Sequence, residues 1–220
     1  MKSNRSRGFT YIECLVALAM AGVLMVIALP RFLRAQTHAR QSEAITHLKS
    51  LHTAMMTQQN KPSNIHVYNF DPPRGNRYSY HLDHGCHTTE NRSNQDAVKH
   101  SGDVCVGVDN FAYMMFPRTF TPVRVVNPVW SQRDAGNGMG ASAGIFGTCG
   151  YPDSWDYLAY AAGDTDFEGT EDYEHLWDSA DTWLISSADG QLHRVCPATT
   201  SPVSAPAGEP FMVYDDAACN

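Results

Sequence analysis

Apolar residues crowd into one end of the chain. Phe9 to Leu29 reads FTYIECLVALAMAGVLMVIAL, with Glu13 its single charge and no proline. At a rise of about 1.5 Å per residue, a helix of this length spans roughly 30 Å, the hydrocarbon thickness of a bilayer. After Pro30 the pattern changes. Ala35, Ala39, Ile45, Leu48, Leu51, Ala54 and Met55 recur at steps of three and four, while Arg40, Glu43, His47 and Lys49 take the other faces. This predicts an amphipathic helix to about Gln59, stopped by Lys61-Pro62-Ser63-Asn64. The first half, apolar all round, suits a membrane or a filament core. The second half has one apolar stripe and suits packing against a sheet.

Beyond the helix the periodicity shortens. Pro72-Pro73-Arg74-Gly75-Asn76 is a turn cluster leading into the alternating run Arg77 to Leu82. Further strand candidates are Val104 to Val108, Phe111 to Phe116, Tyr157 to Ala161, Thr182 to Ser186 and Gln191 to Val195. The last two flank Ser187-Ala188-Asp189-Gly190, whose Asp-Gly signals a hairpin. The Gly-rich stretch Asp134 to Gly150 and the tail Pro197 to Pro210, with four prolines, read as loops. A helix followed by antiparallel strands defines an α+β domain. The expected organisation is 1–8 leader, 9–29 apolar helix, 30–60 amphipathic continuation and 61–220 globular head.

Charge sharpens the reading of the N-terminus. The net charge is −7, yet Lys2, Arg5 and Arg7 all precede the apolar run. From Asp134 onward there are fifteen acids and one basic side chain, Arg194. That surface repels phosphate backbones, so direct nucleic-acid binding is not expected. An ordinary signal peptide has an apolar core of about 7–15 residues ending at small residues. Here the run is longer, and the basic leader abuts it directly at Arg7-Gly8-Phe9. An acid within a membrane span costs several kcal/mol and calls for a dedicated partner. Cleavage before Phe9 would create one, since its α-amino group could neutralise the Glu13 of a neighbouring chain.

Arg7-Gly8-Phe9-Thr10-Tyr11-Ile12-Glu13, followed by the apolar run and Pro30, resembles the class III signal of type IV pilins and pseudopilins. The resemblance implies a pilin fold, with a long N-terminal helix packed on an antiparallel sheet and a disulfide-bearing C-terminal loop. It implies that a prepilin peptidase cuts between Gly8 and Phe9, that Phe9 is N-methylated, that Glu13 registers subunits during assembly, and that Pro30 kinks the helix. Tyr11 and Cys14 depart from the family's usual leucine. Gln41-Ser42-Glu43-Ala44, Leu48-Lys49 and Arg74-Gly75-Asn76-Arg77-Tyr78 resemble stretches of the long major pilins of myxobacteria and their relatives. The partners implied are copies of the chain in a homopolymer filament, the peptidase, an inner-membrane assembly platform, and the membrane itself before assembly. A minor pilin and a type II secretion pseudopilin share the same leader. A membrane-anchored periplasmic binding domain is the reading from another class.

Five cysteines lie in the body: Cys86, Cys105, Cys149, Cys196 and Cys219. No CxxC spacing is present, which argues against zinc ribbons and thioredoxin-like motifs. Neighbouring pairs Cys86–Cys105 and Cys196–Cys219 would each close a loop of roughly 20 residues, worth about 3 kcal/mol by chain entropy; Cys149 is left over. Eight acids lie between Asp164 and Asp181 with no basic residue among them. Asp164, Asp166, Glu168 and Asp172 make this loop a candidate Ca²⁺ site, although His175 stands where an EF-hand needs its bidentate glutamate. His81, His84, Cys86 and His87 offer metal-type ligands, but a disulfide at Cys86 removes its thiolate, and a polar loop is the preferred reading. No nucleophile elbow or phosphate loop is present, and no catalytic site is expected.

Overall fold

The computed structural model describes residues 10–67, 70–82, 86–123, 147–165, 180–215 and 218. A single helix, α1 (Tyr11–Met56), opens the chain. Nine strands follow among the described residues: β1 (Ser79–His81), β2 (Thr89–Glu90), β3 (Cys105–Val106), β4 (Gly147–Tyr151), β5 (Ser154–Gly163), β6 (Asp181–Ser186), β7 (Gly190–Leu192), β8 (Val203–Ala205) and β9 (Phe211–Tyr214). Contacts divide the chain into two units, Met1–Ala39 and Arg40–Asn220.

Within the second unit, α1 buries Gln41, Ala44, Leu48, Leu51, Ala54 and Met55. These positions advance by threes and fours, so they form one stripe. The stripe meets Tyr78, Tyr80, Tyr157, Ala159, Ala161, Trp183 and Ile185 from the sheet in one core cluster. The helix stops where side chains take over its carbonyls: Thr57 Oγ1 donates to the Ala54 oxygen at 2.7 Å and Gln58 Nε2 to the same atom at 3.3 Å.

The main sheet runs β2-β3-β1-β5-β6-β9, and β4 pairs β5 beside β1. The long strand β5 takes β1 along Tyr160–Ala162 and β4 along Ser154–Leu158. Gly150 shapes the β4–β5 turn at φ +91; a Cβ there would lie 2.4 Å from the Ser154 carbonyl oxygen. Alternate β5 residues serve opposite faces. Tyr157, Ala159 and Ala161 face the helix, while Leu158, Tyr160 and Ala162 join Val108, Phe116, Phe120, Leu192, Ala205 and Phe211 in a second cluster. Covered on both sides, β5 and β6 read as continuous apolar runs and not as alternating ones.

The α+β expectation holds, and five local expectations are corrected. Pairing is antiparallel throughout the main sheet except for β2 with β3, which is parallel. Here the chain rounds the Cys86–Cys105 bridge, and Thr89 comes to lie against Cys105. Phe111 to Phe116 forms turns, because Asp109 Oδ1 accepts from the Phe111 and Ala112 amides and Asn110 Nδ2 donates to the Phe116 oxygen at 2.6 Å. These side chains outcompete a ladder for the backbone. The Asp189-Gly190 hairpin does not form: β6 pairs β5 and β9, whereas β7 pairs β8. Gly190 is not among the positive-φ residues that a primed turn requires, and Asp189 Oδ1 instead accepts from the Ala207 amide at 2.9 Å. The proline-rich tail contains β8, and the Gly-rich stretch ends in β4; residues 134–146 lie outside the described residues.

Candidate assembly site

The first turn of α1 is closed by its own side chains. Glu13 Oε2 accepts from the Thr10 amide and the Thr10 hydroxyl, both at 2.8 Å, and the Glu13 amide donates back to Thr10 Oγ1 at 3.3 Å. This is a capping box, with Thr10 as the N-cap and Glu13 at the third helical position. The signal is legible as Thr-x-x-Glu before an apolar run, and it is a second role for Glu13 that hydropathy alone did not reveal. The carboxylate is exposed, so one oxygen holds the cap while the group stays accessible to a neighbour.

Along the rest of the first unit, Leu18, Val23, Leu24, Val26, Ile27 and Leu29 are each more than half exposed. α1 is long and apolar enough to cross a membrane, and none of its apolar window is buried. A helix that is apolar on every side has no stable place in water; it needs lipid or other copies of itself. Pro30 lies inside the helix. It has no amide to donate to the Val26 carbonyl and its ring crowds that group, which is the general cause of a proline kink.

Several residues that position the head were missed as individuals in the sequence. Arg92 is fully buried: Nε donates to Glu90 Oε1 at 2.8 Å, and Nη1 donates to the Pro72 oxygen at 2.8 Å and Asn76 Oδ1 at 2.9 Å. Asp109 accepts from Arg74 Nη2 at 2.9 Å and from the Gly75 amide at 2.6 Å. Asn76 Nδ2 donates to the Tyr78 and Gly107 oxygens, both at 2.8 Å. The Arg74–Tyr78 stretch is thus a polar hub beneath the helix. Glu43 on α1 accepts from the Arg77 amide at 2.9 Å and from the Tyr80 hydroxyl at 3.4 Å. Burial pushes the Glu43 carboxyl above its ordinary range, only partly opposed by these donors. Burial likewise lowers the basicity of His47 and His52 and raises the Tyr78 and Tyr80 phenols.

The other sequence candidates fall as follows. Gly8 and Phe9 lie outside the described residues. Cys86 and Cys105 are joined, with their Cα atoms 5.5 Å apart. Cys196 is also disulfide-bonded, while Cys219 lies outside the described residues. Cys149 is buried and not part of a disulfide. Of the four candidate calcium ligands, Asp164 is described, and its main-chain oxygen accepts from Arg77 Nη2 at 3.1 Å; Asp166, Glu168 and Asp172 lie outside the described residues. His81 is buried beside the bridge and His87 is exposed, while His84 lies outside the described residues.

An α+β head on a capped, membrane-length and uncovered apolar helix defines a class: membrane-anchored subunits that bury this helix in lipid or among their own copies. Comparison with known proteins narrows it. The family model described as type IV pilin PilA matches residues 35–172, and that of the prokaryotic N-terminal methylation motif matches residues 3–29. The chain is 31% identical over 221 residues to the type IV major pilin protein PilA of Myxococcus xanthus, covering 98% of this chain and 94% of that protein. The chain belongs to the type IV pilin family and is a structural subunit of a pilus.

Proposed function

We propose that the chain is the principal, self-polymerising subunit of a surface pilus. It is made as a precursor and cut by a prepilin peptidase between Gly8 and Phe9, and Phe9 is then N-methylated. Until assembly it is held in the inner membrane by the apolar half of α1, with the head outside the cytoplasm. The assembly platform then moves it into a helical filament. There the apolar helices bury one another, and Glu13 pairs with the amino group of Phe9 on the next copy. A heterologous contact that does not close produces a fibre and not a ring. Pro30 bends the helix between its membrane and head portions. The acidic segment that includes Asp164 binds Ca²⁺ through Asp164, Asp166, Glu168 and Asp172.

The observation that carries the filament reading is the uncovered apolar helix with its single acid in the first turn. Similarity to a protein described as a major pilin over nearly its whole length favours the principal subunit over a secretion pseudopilin. Mass spectrometry of fibres sheared from the cell surface tests the reading. The expected N-terminal peptide begins at Phe9 and carries one methyl group. A peptide beginning at Met1, or the absence of the chain from the fibres, overturns it.

A further inference from the structure

The head holds large apolar side chains in water at two places. Met114 and Met115 are 86% and 69% exposed, and Val98, Phe111 and Tyr151 are exposed as well. Met56 at the end of α1 apart, these are the exposed large apolar side chains among the described residues from Arg40 onward. Four of the five share one corner. The Asn91–Arg92 segment joins them: Asn91 bridges Val98, and the Arg92 oxygen accepts from the Phe111 amide at 3.2 Å.

The fold beneath imposes this exposure. Tyr113 and Phe116 pack on the second core cluster, stacked with centroids 5.3 Å apart, and the Arg77 guanidinium covers their rings at 5.0 and 5.2 Å. Asp109 and Asn110 pin the backbone of the same turn, so Met114 and Met115 are held outward. A surface ordered in advance loses little entropy on docking. The other place is the tip of the β4–β5 hairpin, where Tyr151, Pro152 and Asp153 are all exposed. Lys61 braces it, with its amide donating to the Pro152 oxygen at 2.8 Å and its ammonium to the Gly150 oxygen at 3.0 Å.

The two places lie at opposite ends of β5. The tip adjoins Ser154, the first residue of the strand. The methionine turn adjoins the far end, because Arg77, which covers Tyr113 and Phe116, also donates to the Asp164 oxygen just past Gly163. At about 3.3 Å per residue, the ten residues of β5 separate them by roughly 30 Å. Their chemistry is complementary. Thioether sulfurs favour aromatic rings, and methionine and aromatic residues are enriched in interface cores. Arg118, three residues beyond Met115, and Asp153, beside Tyr151, are exposed opposite charges, and neither has an ion-pair partner among the described residues. Unlike patches facing opposite ways meet head to tail, and such a contact repeats without closing.

We propose that the Phe111–Met115 turn of one head docks on the Tyr151–Asp153 tip of the next copy in the fibre. Met114 and Met115 close over Tyr151, and Arg118 meets Asp153. The contact rests on the self-polymerising reading above and gives each subunit a hold on its neighbour that is independent of Glu13. Another copy is the partner present beside every head, at an effective concentration that the helix packing sets.

The test exposes sheared fibres and the processed, full-length subunit in detergent to the same dose of hydrogen peroxide, which turns accessible methionines into sulfoxides. Peptide mass spectrometry then reads Met114 and Met115. Both are expected to oxidise several-fold more slowly in fibres than in the subunit. Equal rates in fibres that contain the chain overturn this contact and leave the subunit reading standing; fibres without the chain overturn that reading and the contact with it. Methionines already protected in the detergent subunit would place a segment of their own chain on the patch, and overturn the proposal too. A second arm puts Met114→Cys and Tyr151→Cys in one chain. Mild oxidation of its fibres should give a ladder of disulfide-linked multimers, which neither substitution alone gives. Fibres without the ladder refute the pairing, as do dimers from Met114→Cys alone, which would show like patches meeting. Should the double variant form no fibre, the peroxide comparison on the wild type still decides.

Discussion

Replacing Glu13 with glutamine separates the observed helix cap from the charge pairing proposed for this side chain. In the isolated subunit Glu13 closes the cap with Thr10 through bonds of 2.8, 2.8 and 3.3 Å. Glutamine serves a capping box as well as glutamate does, so Glu13→Gln keeps the cap and loses only the charge. Thr10→Val does the reverse, removing the cap at a cost of about 1 kcal/mol and leaving the charge. The charge is worth more. An amino group left unpaired in the low-dielectric centre of a fibre costs about 3–5 kcal/mol. At about 1.4 kcal/mol per tenfold, each subunit addition weakens by roughly two to three and a half powers of ten. The assay is the ratio of sheared surface fibre to processed membrane pool, read by immunoblot with N-terminal masses checked. Glu13→Gln should match Glu13→Ala in leaving processed but unassembled protein, and Thr10→Val should still form fibres. Wild-type fibre yield from Glu13→Gln, together with loss in Thr10→Val, would refute charge pairing and leave the cap as the function of Glu13.

A bulky substitution at Gly8 should leave the precursor uncut, so a variant running at the mature mass would sink the cleavage assignment. Arg92→Met should lower the urea-unfolding free energy by about 3–5 kcal/mol, because buried Glu90 loses its guanidinium partner; Glu90→Gln in that background should recover part of the loss. Burial raises the folded-state pKa of Glu43 above 4.5, so the native state holds this proton more tightly than the unfolded chain. Its contribution is therefore full below 4.5 and is lost as pH rises through the folded value. The melting temperature of wild type relative to Glu43→Gln should fall as pH is raised from 4 to 7, and a difference independent of pH would contradict this. Added Ca²⁺ should raise the melting temperature of the parent but not of Asp164→Ala; no rise in the parent ends the calcium reading.

Legibility followed the range of the forces involved. The apolar run, the acid within it and the amphipathic stripe to Met55 were readable because each depends on neighbours within a few turns. Most strand positions were readable for the same reason, from Arg77–Leu82 to Thr182–Ser186. The errors gathered where side-chain hydrogen bonds, some near in sequence and some far, overrode the apolar pattern. Asp109 and Asn110 took the amides and carbonyls of an alternating run and made it a turn. Ala207 took Asp189 from its hairpin. The burial of Arg92 carries no signal in the sequence, since Pro72 and Asn76, which converge on it together with Glu90, lie 20 and 16 residues away.

By itself, then, the order of residues determined that the chain carries a membrane-length helix with one acid at its start. It also determined that a polar α+β body follows. Those features arise from periodicity and from the cost of a charge among apolar residues, and both act along the chain. Tertiary structure alone decided which cysteine met which histidine. His81 and Cys105 are 24 residues apart, and only the β1–β3 register makes them face each other. It also brought Tyr160, from β5, onto the face of that ring, with centroids 4.3 Å apart.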